Sequence, residues 1–111
     1  MRIRPGTMYY LGLIRGEFFF RGCRTLKDRR SHVLSIRDRL KNMGFSVAQT
    51  GRTDIPQRAW LAAVFVSGSK SVVRQRIDRA EELFYGPEWE LASLRKDILG
   101  SGEELPEWEV I

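Results

Sequence analysis

The sequence predicts a small α+β domain with the ferredoxin-like order strand, helix, strand, strand, helix, strand. A chain of 111 residues has room for one domain with a single core, which excludes a multidomain enzyme. Its 42% hydrophobic and 30% charged residues are typical of a folded globular chain. Two segments repeat apolar side chains at helical spacing, and four others resemble strands. We therefore expect a four-stranded antiparallel sheet with two helices on one face and the other face open.

The first strand and the first helix have clear local signals. Residues 8–20 are rich in aromatic and branched side chains, which favours a strand. Thr25 then fits a helix N-cap, and Asp28 falls near the positive end of the helix dipole. The predicted helix ends at Gly44. Its apolar stripe consists of Leu26, Val33, Ile36, Leu40 and Met43.

The second half of the domain repeats this alternation of strand and helix. Residues 45–50 and 57–67 are predicted strands on either side of a polar loop. A second helix begins after Ser69 and stops at Gly86, which precedes a proline. Residues 88–99 are interpreted as the last strand, although three apolar positions there fit helical spacing almost as well. These three are Leu91, Leu94 and Ile98.

The net charge of +5 is unevenly distributed along the chain. Residues 1–60 hold 13 basic and 4 acidic side chains, residues 61–99 hold six of each, and residues 100–111 hold four acids and no base. We predict a flexible basic arm over 1–7, one domain over 8–99 and an acidic tail over 100–111. Met8 is an alternative translation start, and the tail is hypothesised to fold over the basic first helix.

Cysteine and histidine usage limits the chemistry of the chain. With one cysteine there is no internal disulfide, and one histidine with one cysteine cannot build a structural zinc site. No apolar run approaches eighteen residues, so we expect neither a membrane span nor a secretory signal. The expectation is a cytoplasmic protein with no metal, no cofactor and no membrane partner.

Three stretches of the sequence resemble a known family. They are LGLIRGEFFF in the first strand, RTLKDRR at the start of the first helix, and SVAQTGRTDIPQRAWLAAVFVS across the two following strands. Together they are similar to the YlxP-like family of small bacterial proteins, a domain of unknown function, over residues 8–99. The resemblance implies a ferredoxin-like fold and a bacterial cytoplasmic protein. It also implies a role near translation, because relatives are often encoded beside translation initiation and ribosome maturation factors. This chain departs from the family at Gly16, where a large apolar residue is usual.

A set of cations on the first helix is the main candidate binding surface. Helical spacing places four of them on one flank beside the apolar stripe, with two more close by. We call these six residues the basic ridge: Arg24, Lys27, Arg29, Arg30, Arg37 and Lys41. Such a ridge, ending at a helix N-terminus, suits RNA phosphates. The alternative is a solvated helix flank whose long side chains shield the edge of the core.

Two further features each allow either a structural or a functional interpretation. Asp54, Gln57 and Arg58 lie beside a hairpin loop, where recognition residues gather. In the structural interpretation Asp54 caps the turn and Arg58 pairs with a carboxylate. Phe19 is predicted on the open face, where it contacts another subunit or stacks on a base. The third strand, RAWLAAVFVS, lacks the aromatic signature of RNA-recognition domains.

An enzymatic function is not favoured by the sequence. The segment around Cys23 occupies the position of the phosphate loop of small acylphosphatases, but the loop motif is absent and the single asparagine, Asn42, lies on a helix. One catalytic option is left, a Cys23 thiol whose pKa is lowered by the two neighbouring arginines. We therefore predict a non-catalytic binding module acting in translation or ribosome maturation, with ribosomal RNA or a ribosome-associated protein as partner. The alternative is a homodimer that buries the open sheet face, around a small ligand or as a structural protein.

Overall fold

The computed structural model describes residues 8–101, and it confirms the predicted fold class. The N-terminal arm and residues 102–111 of the acidic tail lie outside the described residues. Six elements follow one another in the predicted order. They are β1 (Tyr10–Phe19), α1 (Leu26–Asn42), β2 (Ser46–Thr50), β3 (Arg58–Ser67), α2 (Lys70–Phe84) and β4 (Glu90–Gly100).

The four strands form one antiparallel sheet in the order β2-β3-β1-β4. β1 and β3 are therefore central, whereas β2 and β4 are edge strands. Each edge strand has one backbone side that is not paired within residues 8–101. β2 has only five residues, which is a usual way to limit the exposure of an edge.

Both helices pack on the same face of the sheet and enclose the core. The sheet contributes Ile14, Phe18 and Leu61, and α1 contributes most of its predicted apolar stripe. The core residues of α2 include Val73, Ile77, Ala80 and Phe84. Gly16 also faces the helices, and a Cβ there would lie 2.8 Å from the Phe84 ring. Close packing thus explains why glycine stands at this position, because Phe84 fills the space of the missing side chain.

Local signals set the ends of α1. The Thr25 hydroxyl accepts a hydrogen bond from the Asp28 amide at 3.1 Å, and the Asp28 carboxylate accepts one from the Thr25 amide at 3.2 Å. This reciprocal pair is a capping box. At the other end Gly44 has a φ of +95°, a conformation that glycine adopts without steric cost.

A β-bulge in β4 explains why this strand resembled a helix in the sequence. The register with β1 shifts between Glu17 and Phe18, so that Glu17 pairs with Ser93 and Phe18 pairs with Leu91. Ala92 is the extra residue. Because of it, Leu91 and Leu94 face the same helices although they are three positions apart, which an unbroken strand does not allow.

The open face of the sheet divides into two halves. Near the start of β1 it presents Leu11, Leu13, Val64, Val66 and Leu99. Near the end of β1 it presents polar and aromatic side chains instead: Arg15, Glu17, Phe19, Arg58, Trp60, Ser93 and Arg95.

Candidate nucleic-acid interface

A cleft of about 610 Å³ runs between the N-terminal half of α1 and the edge strand β2. We call it the basic groove. It is lined by Leu26, Lys27, Arg29, Arg30, Val33, Leu34, Arg37 and Gln49. Leu26 belongs to the predicted core stripe but is 45% exposed, and Leu34 is 44% exposed. The groove therefore combines several cations with an apolar rim.

The groove collects part of the predicted basic ridge. Lys27, Arg30 and Arg37 all line it. Lys41 lies about one helical turn beyond Arg37, outside the groove, and Arg24 precedes the helix without lining it. With Arg29, four of the six predicted residues therefore line the groove, and three of these four share the flank that the helical spacing indicated.

Arg29 has a different role from the one predicted. It is only 7% exposed, and its guanidinium donates to the backbone carbonyls of Thr53 at 3.1 Å and of Ile55 and Arg58 at 2.9 Å. These bonds tie the loop between β2 and β3 to α1. Arg29 therefore lines the groove as a buried residue and not as an exposed one, because the loop curls back over its side chain, which helical spacing alone does not reveal.

The N-terminus of α1 also differs from the prediction. The Asp28 carboxylate accepts hydrogen bonds from the backbone amides of Arg24 and Thr25 at 3.1 and 3.2 Å. These bonds, with the Thr25 hydroxyl, lower the pKa of Asp28 below its usual value. A carboxylate thus occupies the position that was expected to receive a phosphate, and the groove beside the helix is the better anion site.

Three buried donors in the groove have no hydrogen-bond partner among the described residues. They are Nε of Arg29, Nε of Arg37 and Nε2 of Gln49, and all three residues line the cleft. A buried donor without a partner costs about 1–3 kcal/mol. Three such groups around one cleft are complementary to a ligand rich in acceptor oxygens. Gln49 was missed by sequence reasoning, although strand alternation already placed it on the same face as Val47.

The cations of the groove are free of carboxylate partners within residues 8–101. The ion pairs of that region join Arg21 to Glu90, Arg52 to Asp54, Arg58 to Glu17, Arg95 to Asp97 and Lys96 to Glu81, and His32 lies 4.0 Å from Glu88. None of them involves Lys27, Arg30 or Arg37. No carboxylate of residues 8–101 therefore forms an ion pair with these three cations.

The hairpin-loop residues match their structural interpretation at Arg58, whereas Asp54 pairs with a side chain and is not seen to cap the turn. Asp54 pairs with Arg52 at 3.0 Å, and this bond lowers the pKa of Asp54. Arg58 pairs with Glu17 across the sheet. The Gln57 side chain is exposed, while its carbonyl accepts from the Phe20 amide at 2.7 Å. These contacts hold the loop to the end of β1.

Phe19 lies on the open face, as predicted, and is half-buried. The Arg58 guanidinium lies 5.5 Å from the centre of its ring, a cation–π contact. Trp60, two residues further along β3, lies on the same face and was not singled out from the sequence. The alternation in the segment RAWLAAVFV was the signal that indicated it.

Cys23 is buried, and burial raises the pKa of its thiol, with a smaller contribution from Asp28. The option of a thiol with a lowered pKa is therefore wrong, because desolvation outweighs the nearby Arg29. Within the described range, no group of three histidine, cysteine or carboxylate side chains is placed to hold a metal ion. None of the helices between residues 8 and 101 has the length and apolar character needed to cross a membrane.

The fold and the groove define a small ferredoxin-like α+β domain with a cationic cleft beside one sheet edge. The chain belongs to the family described as protein of unknown function (DUF503), whose model matches residues 11–95. No curated protein has a matching sequence. Among solved structures, the de novo designed protein Foldit4 is 14% identical, with a TM-score of 0.45 over 80% of this chain and 96% of that one.

A variant of SnoaB, a cofactor-independent oxygenase from Streptomyces nogalater, is also 14% identical. The TM-score is again 0.45, over 88% of this chain and 98% of that one. Similarities of this degree say nothing about what this chain binds.

Proposed function

We propose that this protein is a non-catalytic RNA-binding module that holds phosphates in the basic groove. The observation that carries the proposal is the set of three buried donors without partners, beside three cations that no carboxylate of residues 8–101 neutralises. Phosphate oxygens accept several hydrogen bonds at once and carry the complementary charge. Backbone phosphates are also the groups through which most affinity for nucleic acid arises.

The shape of the groove supports an extended ligand. It is an open cleft that follows α1 for about three turns, from Leu26 to Arg37, so it suits a backbone that runs along its surface. Arginine is the more suitable cation for such a ligand, since its planar fork donates to two phosphate oxygens together. The exposed Leu26 and Leu34 add apolar contact to sugars and bases.

The biological setting of the proposal comes from the family resemblance seen in the sequence. A cytoplasmic role in translation or ribosome maturation, with ribosomal RNA or a ribosome-associated protein as partner, fits a small basic surface of this kind. It is part of the proposal. Catalysis is not part of it, because the groove offers hydrogen-bond donors and cations and no nucleophile paired with a base.

The first experiment measures binding of a structured ribosomal RNA fragment at several salt concentrations. With three phosphate contacts, the logarithm of the affinity falls against the logarithm of the salt concentration with a slope of about −2 to −3. The double variant Lys27→Glu, Arg30→Glu is expected to weaken binding at least tenfold and to flatten this slope. The control is Arg74→Glu, Arg79→Glu, which changes the same charge on exposed positions of α2.

A pull-down from bacterial lysate, with and without RNase, then identifies the class of partner. Loss of ribosomal particles after RNase treatment supports the proposal. Equal weakening by the α1 and α2 variants shows that only net charge matters, and absent or salt-independent association contradicts RNA binding.

Homodimerisation through the apolar half of the open face is a second candidate function. The observation that favours it is Val66, which is 58% exposed next to Leu11 and Val64 on a surface with few charges. Apolar patches of this kind mark interaction sites in small domains. A second copy related by two-fold symmetry would place the same patch on itself.

Light scattering on the full chain tests this candidate. A dimer that becomes a monomer in Val66→Asp supports it. Val66→Thr is the matched variant of similar shape. A monomer at every concentration tested contradicts it.

A further inference from the structure

A second cavity, of about 370 Å³, lies on the open face at the end where β1 meets the β2–β3 loop. We call it the Trp60 cavity. Its side chains on that face are Arg15, Glu17, Thr50, Trp60, Ser93 and Arg95. The volume falls at the lower end of the range usual for small-ligand sites. The basic groove lies on the opposite face of the sheet, so this is a separate site.

The Trp60 ring is held in place before any ligand arrives. Its indole Nε1 donates to Oε1 of Glu17 at 2.9 Å. Gly51 lies close against the ring, since a Cβ there would be 3.0–3.2 Å from three of its atoms. A fixed aromatic side chain loses little entropy when a second ring stacks on it. Glu17 is also paired with Arg58, so its charge is compensated.

Two cations lie side by side across this cavity. Arg15 of β1 is directly opposite Arg95 of β4, on the open face. Like charges in directly opposed positions destabilise an antiparallel sheet. Arg95 is paired with Asp97 at 3.1 Å, whereas Arg15 has no ion-pair partner among residues 8–101. The arrangement is complementary to an anion bound between or beside the two guanidinium groups.

The cavity and the basic groove meet at the edge strand. Gln49 and Thr50 are consecutive residues of β2, and they point to opposite faces of the sheet. Gln49 lines the groove and Thr50 lines the Trp60 cavity. The two sites therefore share the β2 edge strand, around which a single strand of nucleic acid would pass.

We propose that the Trp60 cavity binds one unpaired nucleobase, stacked on Trp60, with the adjoining phosphate on Arg15 and Arg95. This inference rests on the proposed function, because it assigns single-stranded RNA as the form of RNA that the module recognises. Aromatic side chains with flanking cations are the common means by which sheet faces hold single strands. A paired base in a duplex is not free to enter the cavity.

The main test compares single-stranded and duplex RNA of equal length. Trp60→Leu is expected to weaken binding of the single strand about tenfold and to leave duplex affinity and the salt slope unchanged, since stacking is lost without loss of charge. Trp60→Phe keeps a ring and is expected to retain most of the affinity. Circular dichroism confirms that each variant is folded. Equal affinity of wild type and Trp60→Leu for the single strand overturns the inference while the proposed function stands.

A second measurement is independent of the groove. Adenosine 5′-monophosphate is titrated into the full chain, and the indole N–H resonance of Trp60 is followed by nuclear magnetic resonance. We expect this resonance to shift in wild type and in Lys27→Glu, Arg30→Glu, and to shift much less in Arg15→Glu. If RNA does not bind but the mononucleotide does, the proposed function fails and the cavity assignment stands. A Trp60 resonance that does not move in wild type overturns the assignment.

Discussion

Gly12 and Gly16 of β1 show how a single missing side chain positions a helix. Both face the helices, and a Cβ at Gly12 would lie 2.7 Å from Val73 and 2.8 Å from Ile77. Glycine normally weakens a strand, because it has no side chain to pack. Here the loss is offset, since α2 approaches the sheet closely enough for its own side chains to fill the space.

Gly16→Ala is expected to lower the free energy of unfolding by about 1–3 kcal/mol, as overpacking of a filled core does. The added methyl group meets the Phe84 ring at 2.8 Å and cannot be accommodated without a shift of α2. Urea unfolding measures the change. Gly68→Ala is the control, because its nearest contact would be 3.9 Å away. A Gly16→Ala variant as stable as wild type contradicts the packing described for β1.

Among residues 8–101 Arg29 is the buried charged residue, and the hydrogen bonds of its side chain all go to backbone carbonyls. Arg29→Met keeps a chain of similar length but removes the donors to the carbonyls of Thr53, Ile55 and Arg58. We expect the free energy of unfolding to fall by about 2 kcal/mol or more, because methionine has no hydrogen-bond donor to replace the charged guanidinium. Hydrogen exchange in residues 51–57 is expected to become faster. Arg30→Met, at an exposed position, is expected to leave the stability and the hydrogen exchange of residues 51–57 unchanged. If Arg30→Met lowers the stability more than Arg29→Met does, this role for Arg29 is contradicted.

At the scale of the element, the N-terminus of α1 shows a helix end that is determined by residues close together in the sequence. The capping box of Thr25 and Asp28 satisfies backbone donors that the helix leaves free. Thr25→Ala is expected to cost about 1 kcal/mol, whereas Thr25→Ser keeps the hydroxyl and costs little. Urea unfolding of the two variants checks this. Equal stability of Thr25→Ala and Thr25→Ser contradicts the cap.

The same capping box predicts a pH dependence of stability. The pKa of Asp28 is lowered in the folded chain, first by the Arg24 amide and then by Thr25. A carboxyl whose folded pKa is depressed contributes stability above its unfolded value, about pH 4, and loses it as the pH falls through the folded value. Asp28→Asn is therefore expected to be less stable than wild type at pH 7 and to approach it as the pH falls through the folded pKa of Asp28. A gap that stays constant with pH contradicts this contribution.

At the scale of the whole molecule, β4 continues to Gly100, one residue beyond the predicted boundary at residue 99. Gly100 pairs with Tyr10, and Ser101 exchanges two hydrogen bonds with Tyr9, at 2.9 and 3.1 Å. These contacts continue the pairing of β1 with β4 past the last residue of β4. They are long-range in sequence, so the acidic composition after residue 99 did not indicate them.

A chain of residues 8–99 is expected to be about 1–2 kcal/mol less stable than one of residues 8–101, because it lacks these bonds. Thermal unfolding of the two chains measures the difference. The variant Ser101→Ala in the longer chain removes only the side-chain bond and is expected to fall between them. Identical unfolding midpoints for the two chains would place the boundary at residue 99.

The candidate site was predictable in part. Spacing along α1 brought Lys27, Arg30 and Arg37 to one flank, because residues three, four and seven apart share a helix face. It could not show that the β2–β3 loop covers Arg29, or that Gln49 forms the far wall of a cleft. Trp60 and Arg95 belong to one cavity only through the pairing of β3 and β4 with β1.

The sequence alone determined the order of elements, the helix caps and which side chains are buried in most of them, since these depend on neighbours within a few residues. Tertiary structure decided what the charges and aromatic rings face. The bulge at Ala92, the burial of Arg29 and the opposition of Arg15 and Arg95 all arise from contacts between distant segments. Periodicity assigns a residue to a face, but the partner across the gap depends on strand register and loop path, which only the folded chain specifies.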